Sequence, residues 1–214
     1  MKIAVDGPAG AGKSTISKIL AKKLGINYLD TGAMYRAATY KTIKESIDPE
    51  NEEAVVKAVE NSDIYFKDNE IYLDGENVKI QIRSPQVNRL VSVISKIDEI
   101  RKIMVAKQKK ISESSDVIMD GRDIGTVVMP DADYKFYLDA SIEIRAKRRF
   151  KEMDDKSAMM SFESLKKEIA KRDEEDKNRK TGPLRVAKDA VVIDTSGLEI
   201  DQVVELMAKK IKGE

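Results

Sequence analysis

The chain has 214 residues, 39 Lys+Arg against 38 Asp+Glu, a formal net charge of +1, and neither cysteine nor histidine. The even balance sets up no global field for nucleic acid or an anionic membrane. Lack of cysteine excludes disulfides, thiolate nucleophiles and Cys-based zinc sites, and lack of histidine leaves any acid–base work to carboxylates, Lys or Tyr.

The first expected strand, 3–5, runs with no leader before it into Gly7-Pro8-Ala9-Gly10-Ala11-Gly12-Lys13-Ser14-Thr15. This is the complete G-x-x-x-x-G-K-S spacing of a P-loop, with a helix expected over 14–23 after it. The glycines free the backbone so that successive N–H groups converge on phosphate oxygens. The helix adds the positive end of its dipole. Lys13 can reach the β- and γ-phosphates and the Ser14 hydroxyl can ligate Mg²⁺. The chain is therefore read as binding a nucleoside triphosphate.

Further apolar runs predict strands at 26–29, 117–119, 134–138 and 190–193. Between them, helical periodicity predicts helices at 32–45, 85–112, 141–152, 161–178 and 199–212. That alternation is the pattern of a parallel sheet covered by helices, an α/β fold of one domain over 1–214. Residues 62–84 break the rhythm: 64–66, 71–73 and 78–80 are short β-prone runs joined by Asp68-Asn69 and Asp74-Gly75, both turn formers. They predict a small antiparallel insertion. The polar stretch 153–161 between two charged helices predicts a mobile lid, spanning about 145–165 with its stems. No apolar run approaches the length of a membrane span, and a cytoplasmic protein is expected.

Arg145, Arg148 and Arg149 share one helix face at i, i+3 and i+4, and Arg172, Asp176 and Arg179 fall on one stripe at i, i+4 and i+7. Alone, either stripe also suits a salt-bridged surface. Beside a P-loop, arginine forks are what a loose phosphoryl-transfer transition state needs. Asp176 could brace those arginines or accept from a ribose hydroxyl. Asp120 ends an apolar strand, where a P-loop protein organises Mg²⁺-bound water, and Arg122 and Asp123 follow at the carboxyl edge of the sheet. At Leu29-Asp30-Thr31-Gly32-Ala33-Met34-Tyr35-Arg36 a strand ends, Asp30 or Thr31 caps a helix, and Arg36 lies about one turn in.

With G-P-A-G-A-G-K-S, L-D-T-G-A-M-Y-R at 29–36, D-G-R-D-I-G-T-V-V-M-P-D-A at 120–132, F-Y-L-D-A-S at 136–141 and E-I-A-K-R-D-E-E-D-K-N-R at 168–179, the chain resembles the bacterial cytidylate kinases end to end. These are P-loop nucleoside monophosphate kinases. The resemblance implies transfer of the γ-phosphate of ATP to CMP or dCMP with Mg²⁺. A monomer is expected, and the charge balance and short apolar runs predict a partner neither in nucleic acid nor in a membrane. The resemblance also implies that Arg36, Arg122 and Arg179 hold the acceptor phosphate, with Thr31 close by. Arg172 and Asp176 would contact the ribose, while Ser92, Arg101 and Asp123 would read the cytosine. Arg145, Arg148 and Arg149 would belong to the lid and transition-state clamp, and residues 62–84 to a nucleotide-binding insertion. Cytosine offers an amino donor that a carboxylate such as Asp123 can accept, and a phosphate acceptor needs no general base. A kinase with a hydroxyl acceptor would need fewer arginines, and a GTPase switch would carry N-K-x-D, which is absent. A UMP/CMP-type enzyme remains the near alternative.

Overall fold

The computed structural model describes residues 1–151 and 161–213. Its strands in chain order are β1 (Lys2–Asp6), β2 (Asn27–Asp30), β3 (Ile64–Lys67), β4 (Glu70–Leu73), β5 (Glu76–Asn77), β6 (Val117–Gly121), β7 (Tyr134–Asp139) and β8 (Val191–Asp194). Five of them form one sheet in the order β2-β6-β1-β7-β8, with every neighbouring pair parallel. Its inner strands carry apolar runs at 3–5, 117–119 and 136–138, as strands buried on both faces must. In the register, Asp30 lies opposite Asp120 and Asp6 opposite Gly121. The carboxyl ends of three adjacent strands therefore carry carboxylates side by side, in the crevice where open α/β sheets bind ligands.

The helices are α1 (Lys13–Leu24), α2 (Thr31–Lys44), α3 (Glu52–Glu60), α4 (Pro85–Ile94), α5 (Asp98–Ser114), α6 (Ile142–Lys151), α7 (Phe162–Asn178) and α8 (Ile200–Lys212). One sheet face packs Ile3, Val5 and Phe136 against Ile16 and Leu20 of α1 and Val203 and Met207 of α8. The other packs Ala4, Leu29 and Met119 against Met34, Val91, Ile100 and Met104 from α2, α4 and α5. Each buried Val, Leu, Ile, Phe or Met among them contributes about 1.5–3 kcal/mol. Ala146, Leu165 and Ile169 make a separate small core that clamps α6 to α7. Among the described residues no helix is long and apolar enough to cross a membrane.

The structure corrects three sequence expectations. The single helix expected over 85–112 is two. Val87, Val91, Ile94, Ile97, Ile100 and Met104 recur every three or four residues across the break, which conceals it. The chain turns at 95–97, where Ile97 is extended, and Asp98 and Glu99 open α5 at the positive end of its dipole. The Ser95 carbonyl accepts from an Arg101 Nη atom at 3.5 Å. Helix α3 was not expected. Asn51 caps it, accepting from the Ala54 N–H, and Val55, Ala58 and Val59 bury its apolar stripe. The third meander strand is Glu76–Asn77 and not 78–80: Val78 is buried, the chain then enters a short 3-10 turn (Gln81–Arg83), and Ile80 is left exposed. Both turn dipeptides have positive φ, at Asp68, Asn69, Asp74 and Gly75, which matches the right-handed twist of a hairpin. The expected lid lies outside the described residues from 152 to 160. Ser161 caps α7, accepting from the Ser164 N–H.

Candidate active site

A cleft of about 330 Å³ opens at the carboxyl edge of the sheet, between the P-loop, the start of α2, the β6 exit and α7. Eight arginines and Lys13 line it, against five acidic side chains. That surplus of cations suits more than one phosphate group.

The donor side is built by the β1–α1 loop. Gly7 has φ +147°, and a Cβ there would stand 2.0 Å from the Leu138 carbonyl oxygen, so β7 presses directly on the loop. Gly12, at φ +85°, takes the left-handed conformation that starts α1. Ala9, Gly10, Lys13 and Ser14 line the cleft, whereas Pro8 and Ala11 frame the loop from behind and Thr15 faces outward. Lys13 Nζ donates to the Pro8 carbonyl at 2.7 Å, coiled over the loop it serves. Burial, and then Arg122, pull its ammonium down to about 7.

Asp120 ends β6 at the centre of the site. One oxygen accepts from Ser14 Oγ at 2.8 Å and the other from the Tyr28 hydroxyl at 2.7 Å. Burial and the neighbouring Asp30 push Asp120 up to about 6. A hydroxyl beside a buried carboxylate is a hard oxygen pair, and no cluster of three metal-ligating side chains occurs among the described residues. The donor set therefore fits a Mg²⁺ that keeps waters and phosphate oxygens as its other ligands, which is that ion's habit. Ser14 would hold it directly and Asp120 through water.

On the acceptor side, Asp30 and not Thr31 caps α2, accepting from the Ala33 N–H at 3.0 Å. Thr31 lines the cleft, but its hydroxyl is committed to the Asp120 carbonyl at 2.7 Å. Arg36 hydrogen-bonds to the Asn88 side chain; burial and the facing Arg172 pull it down to about 10. Arg122 Nε and Asp176 Oδ2 pair at 2.7 Å, and Arg179 bridges Asp176 and Asp123 at 3.4 Å each. Despite its burial, Asp176 is held below its ordinary range by Arg122 and Arg179. Burial, joined by Arg122 for Arg172 and by Arg101 for Arg179, lowers both of those guanidinium groups. At the deep end, Arg101 and Asp123 pair at 2.5 Å. Arg101 lies 5.4 Å from the Tyr35 ring centroid, and its Nε has no partner among the described residues.

Two expected residues stand elsewhere. Ser92 does not line the cleft; Val91 and Ser95 do, one on either side of it along α4 and its exit. Arg145 is buried behind the P-loop, donating to the Ala140 carbonyl, to the Ala9 carbonyl at 3.0 Å and to Asp173 at 2.6 Å. It braces α6, α7 and the loop crest together, whereas Arg148 and Arg149 do line the cleft. The helix-face spacing gave the three arginines one azimuth but no depth. Arg148 is tied to Thr195, donating to its hydroxyl at 3.0 Å and its carbonyl at 2.6 Å. Sequence reasoning passed over Tyr28 and Ser95, which carry no motif signal of their own, and assigned no role to Tyr35 although it lies inside the 29–36 block.

Comparison with known proteins identifies the family. The cytidylate kinase family model matches residues 3–213. A protein named cytidylate kinase from Clostridioides difficile (strain 630) is 56% identical over 209 residues, covering 98% of this chain and 97% of that protein. One of the same name from Caldanaerobacter subterraneus subsp. tengcongensis is 51% identical over 212 residues, covering 99% and 95%. Among solved structures, a shikimate kinase from Bacteroides thetaiotaomicron superposes with a TM-score of 0.53 at 14% identity, over 99% of this chain and 98% of that one. At that identity the likeness shows a shared fold alone. The family match runs the length of the P-loop, the β6 exit and the arginine-bearing α7, so the chain belongs to the cytidylate kinase family.

Proposed function

We propose that the protein transfers the γ-phosphate of ATP to CMP or dCMP, giving ADP and CDP or dCDP. The observation that carries this is a P-loop facing Arg36, Arg122, Arg172 and Arg179 across one cleft, in a chain of the cytidylate kinase family. The triphosphate lies along the loop amides and Lys13. The acceptor phosphate lies among the arginines opposite, and Arg101 with Asp123 reads the cytosine. A ring with an amino donor satisfies the Asp123 carboxylate. Uracil would set a carbonyl against it and leave a buried polar group unmatched.

The roles follow from charge and position. The acceptor oxygen is already ionised, so this histidine-free site needs no base. Lys13, Arg148 and Arg149 stabilise charge on the transferring group from sites fixed before the reaction. Arg145 serves at one remove, by holding the Ala9 carbonyl and so the loop crest. When bound, Mg²⁺ offsets charge on the donor phosphates. We assign β3–β5, within residues 62–84, to closure over the acceptor and residues 145–165 to a lid that excludes water. A protein acting on free nucleotides is expected to work in the cytoplasm. The reading is tested by ADP release with CMP against cytidine at equal concentration. Turnover must require the 5′-phosphate, and equal turnover of cytidine would make the acceptor a hydroxyl.

A further inference from the structure

We propose that Asp6 is a positioning residue that fixes the acceptor-reading segment, Arg122 and Asp123, in register with the P-loop; this rests on the assignment of Asp123 to the cytosine. Asp6 is the last residue of β1, immediately before the phosphate loop, and is 4% exposed. Its side chain crosses to the exit of β6. Oδ1 accepts the Ile124 N–H at 2.8 Å and Oδ2 accepts the Gly125 N–H at 2.7 Å. No ion pair among the described residues includes it, so a buried carboxylate is held chiefly by two backbone amides. A charge so placed is costly unless those bonds are made.

The two amides open the single wide turn 124–128, where a helix leaves its first N–H groups without internal partners. Asp6 therefore acts as a cap supplied by another strand. The turn winds directly from Asp123, whose carbonyl accepts the Val127 N–H at 2.9 Å and the Val128 N–H at 3.2 Å. Its orientation sets the direction in which Asp123 meets Arg101 and Arg122 meets Asp176. The fit is close: a Cβ on residue 125 would stand 3.3 Å from both Asp6 Oδ2 and Lys135 Cδ. Burial raises Asp6 to about 6, with the Gly125 and Ile124 amides opposing, so the carboxylate remains ionised at neutral pH and can take both bonds. The donor loop has separate fastenings, Arg145 to the Ala9 carbonyl and Lys13 to the Pro8 carbonyl. Loss of the Asp6 contact should therefore free the acceptor segment first.

The test is Asp6→Asn, which keeps the shape but turns one acceptor into a donor facing an N–H. The expected result is a rise in KM for CMP of about tenfold, with the kcat/KM ratio of CMP over UMP falling about fivefold or more. KM for ATP should stay within about twofold. Gly125→Ala presses on the same contact from its other end, leaves the carboxylate in place, and should give the same split if Asp6→Asn does not fold. Parallel rises in KM for CMP and ATP, or an unchanged CMP/UMP ratio, would overturn the proposal and leave Asp6 a support of the sheet. Wild-type enzyme run alongside separates the two levels. If it does not favour CMP, the reading of Asp123 fails and the proposal with it; if it does and the variants keep that preference, the Asp6 proposal alone fails.

Discussion

Replacing Asp123 by alanine should damage stability and selectivity by separate, measurable amounts. Its carboxylate is the ionic partner of Arg101, whose side chain is 2% exposed. Among the described residues the guanidinium then keeps a 3.5 Å contact to the Ser95 carbonyl and the face of Tyr35, and its Nε already lacks a partner there. Breaking a buried pair from one side typically costs about 3–5 kcal/mol, because the surviving charge is stranded. In a domain of this size, where 1 kcal/mol moves Tm by about 2–4 °C, the melting temperature should fall by about 6–20 °C. Selectivity depends on a different quantity, the mismatch that uracil suffers against the carboxylate. Losing it removes about 1–3 kcal/mol of discrimination, so the CMP/UMP ratio of kcat/KM should drop by about 5- to 150-fold. The double variant Arg101→Met/Asp123→Ala should recover much of the Tm, since no buried charge is stranded, but none of the selectivity. Thermal melts and coupled ADP-release assays on the three proteins decide it. A single variant that melts within 2 °C of wild type, or that keeps the CMP/UMP ratio, refutes the reasoning.

Lys13→Ala should abolish turnover while leaving a folded protein that is more stable than wild type at pH 7. The native ammonium sits at about 7 against 10.5 for an exposed lysine, so the unfolded chain binds more protons between those values and wild-type stability rises across that window. The gap in Tm between the two proteins should therefore narrow from pH 7 to pH 10, and a constant gap would contradict the burial argument. Arg145→Ala should lower Tm by about 6–20 °C through the stranded Asp173, whereas Arg145→Met/Asp173→Leu should recover much of it; a clamp residue would instead lose kcat at unchanged Tm. Arg36→Met and Arg179→Met should each raise KM for CMP by about 10- to 150-fold, the worth of a charge-assisted bond, and leave KM for ATP nearly unchanged. Initial-rate kinetics with each substrate varied in turn would expose a shared effect.

The P-loop and the parallel core were legible because their signals are local: glycine spacing fixes a loop, and apolar runs fix strands. Arg36, Arg122, Arg172 and Arg179 come together because the start of α2, the β6 exit and the end of α7 meet at the same sheet edge, which chain order foreshadowed. Depth was not legible. Arg145 and Arg148 share a helix face, yet only the fold sends one behind the loop crest and the other into the cleft. The break between α4 and α5 was hidden because Val91, Ile94, Ile97, Ile100 and Met104 recur every three or four residues through it. Asp6 follows the apolar run 3–5 and no role was read for it from the sequence. Its role depends on amides 118 and 119 residues away, a relation that no local pattern encodes.

The central claim is that one cleft joins ATP to a cytosine monophosphate. A single competition tests it most directly: equal concentrations of CMP, UMP, AMP and GMP with limiting Mg·ATP, and the resulting nucleoside diphosphates quantified after a few turnovers. CDP should dominate the acceptor products by at least the selectivity assigned to Asp123, about 5- to 150-fold over UDP. UDP formed at or above the level of CDP would contradict the cytosine assignment, and no diphosphate beyond ADP would contradict the kinase.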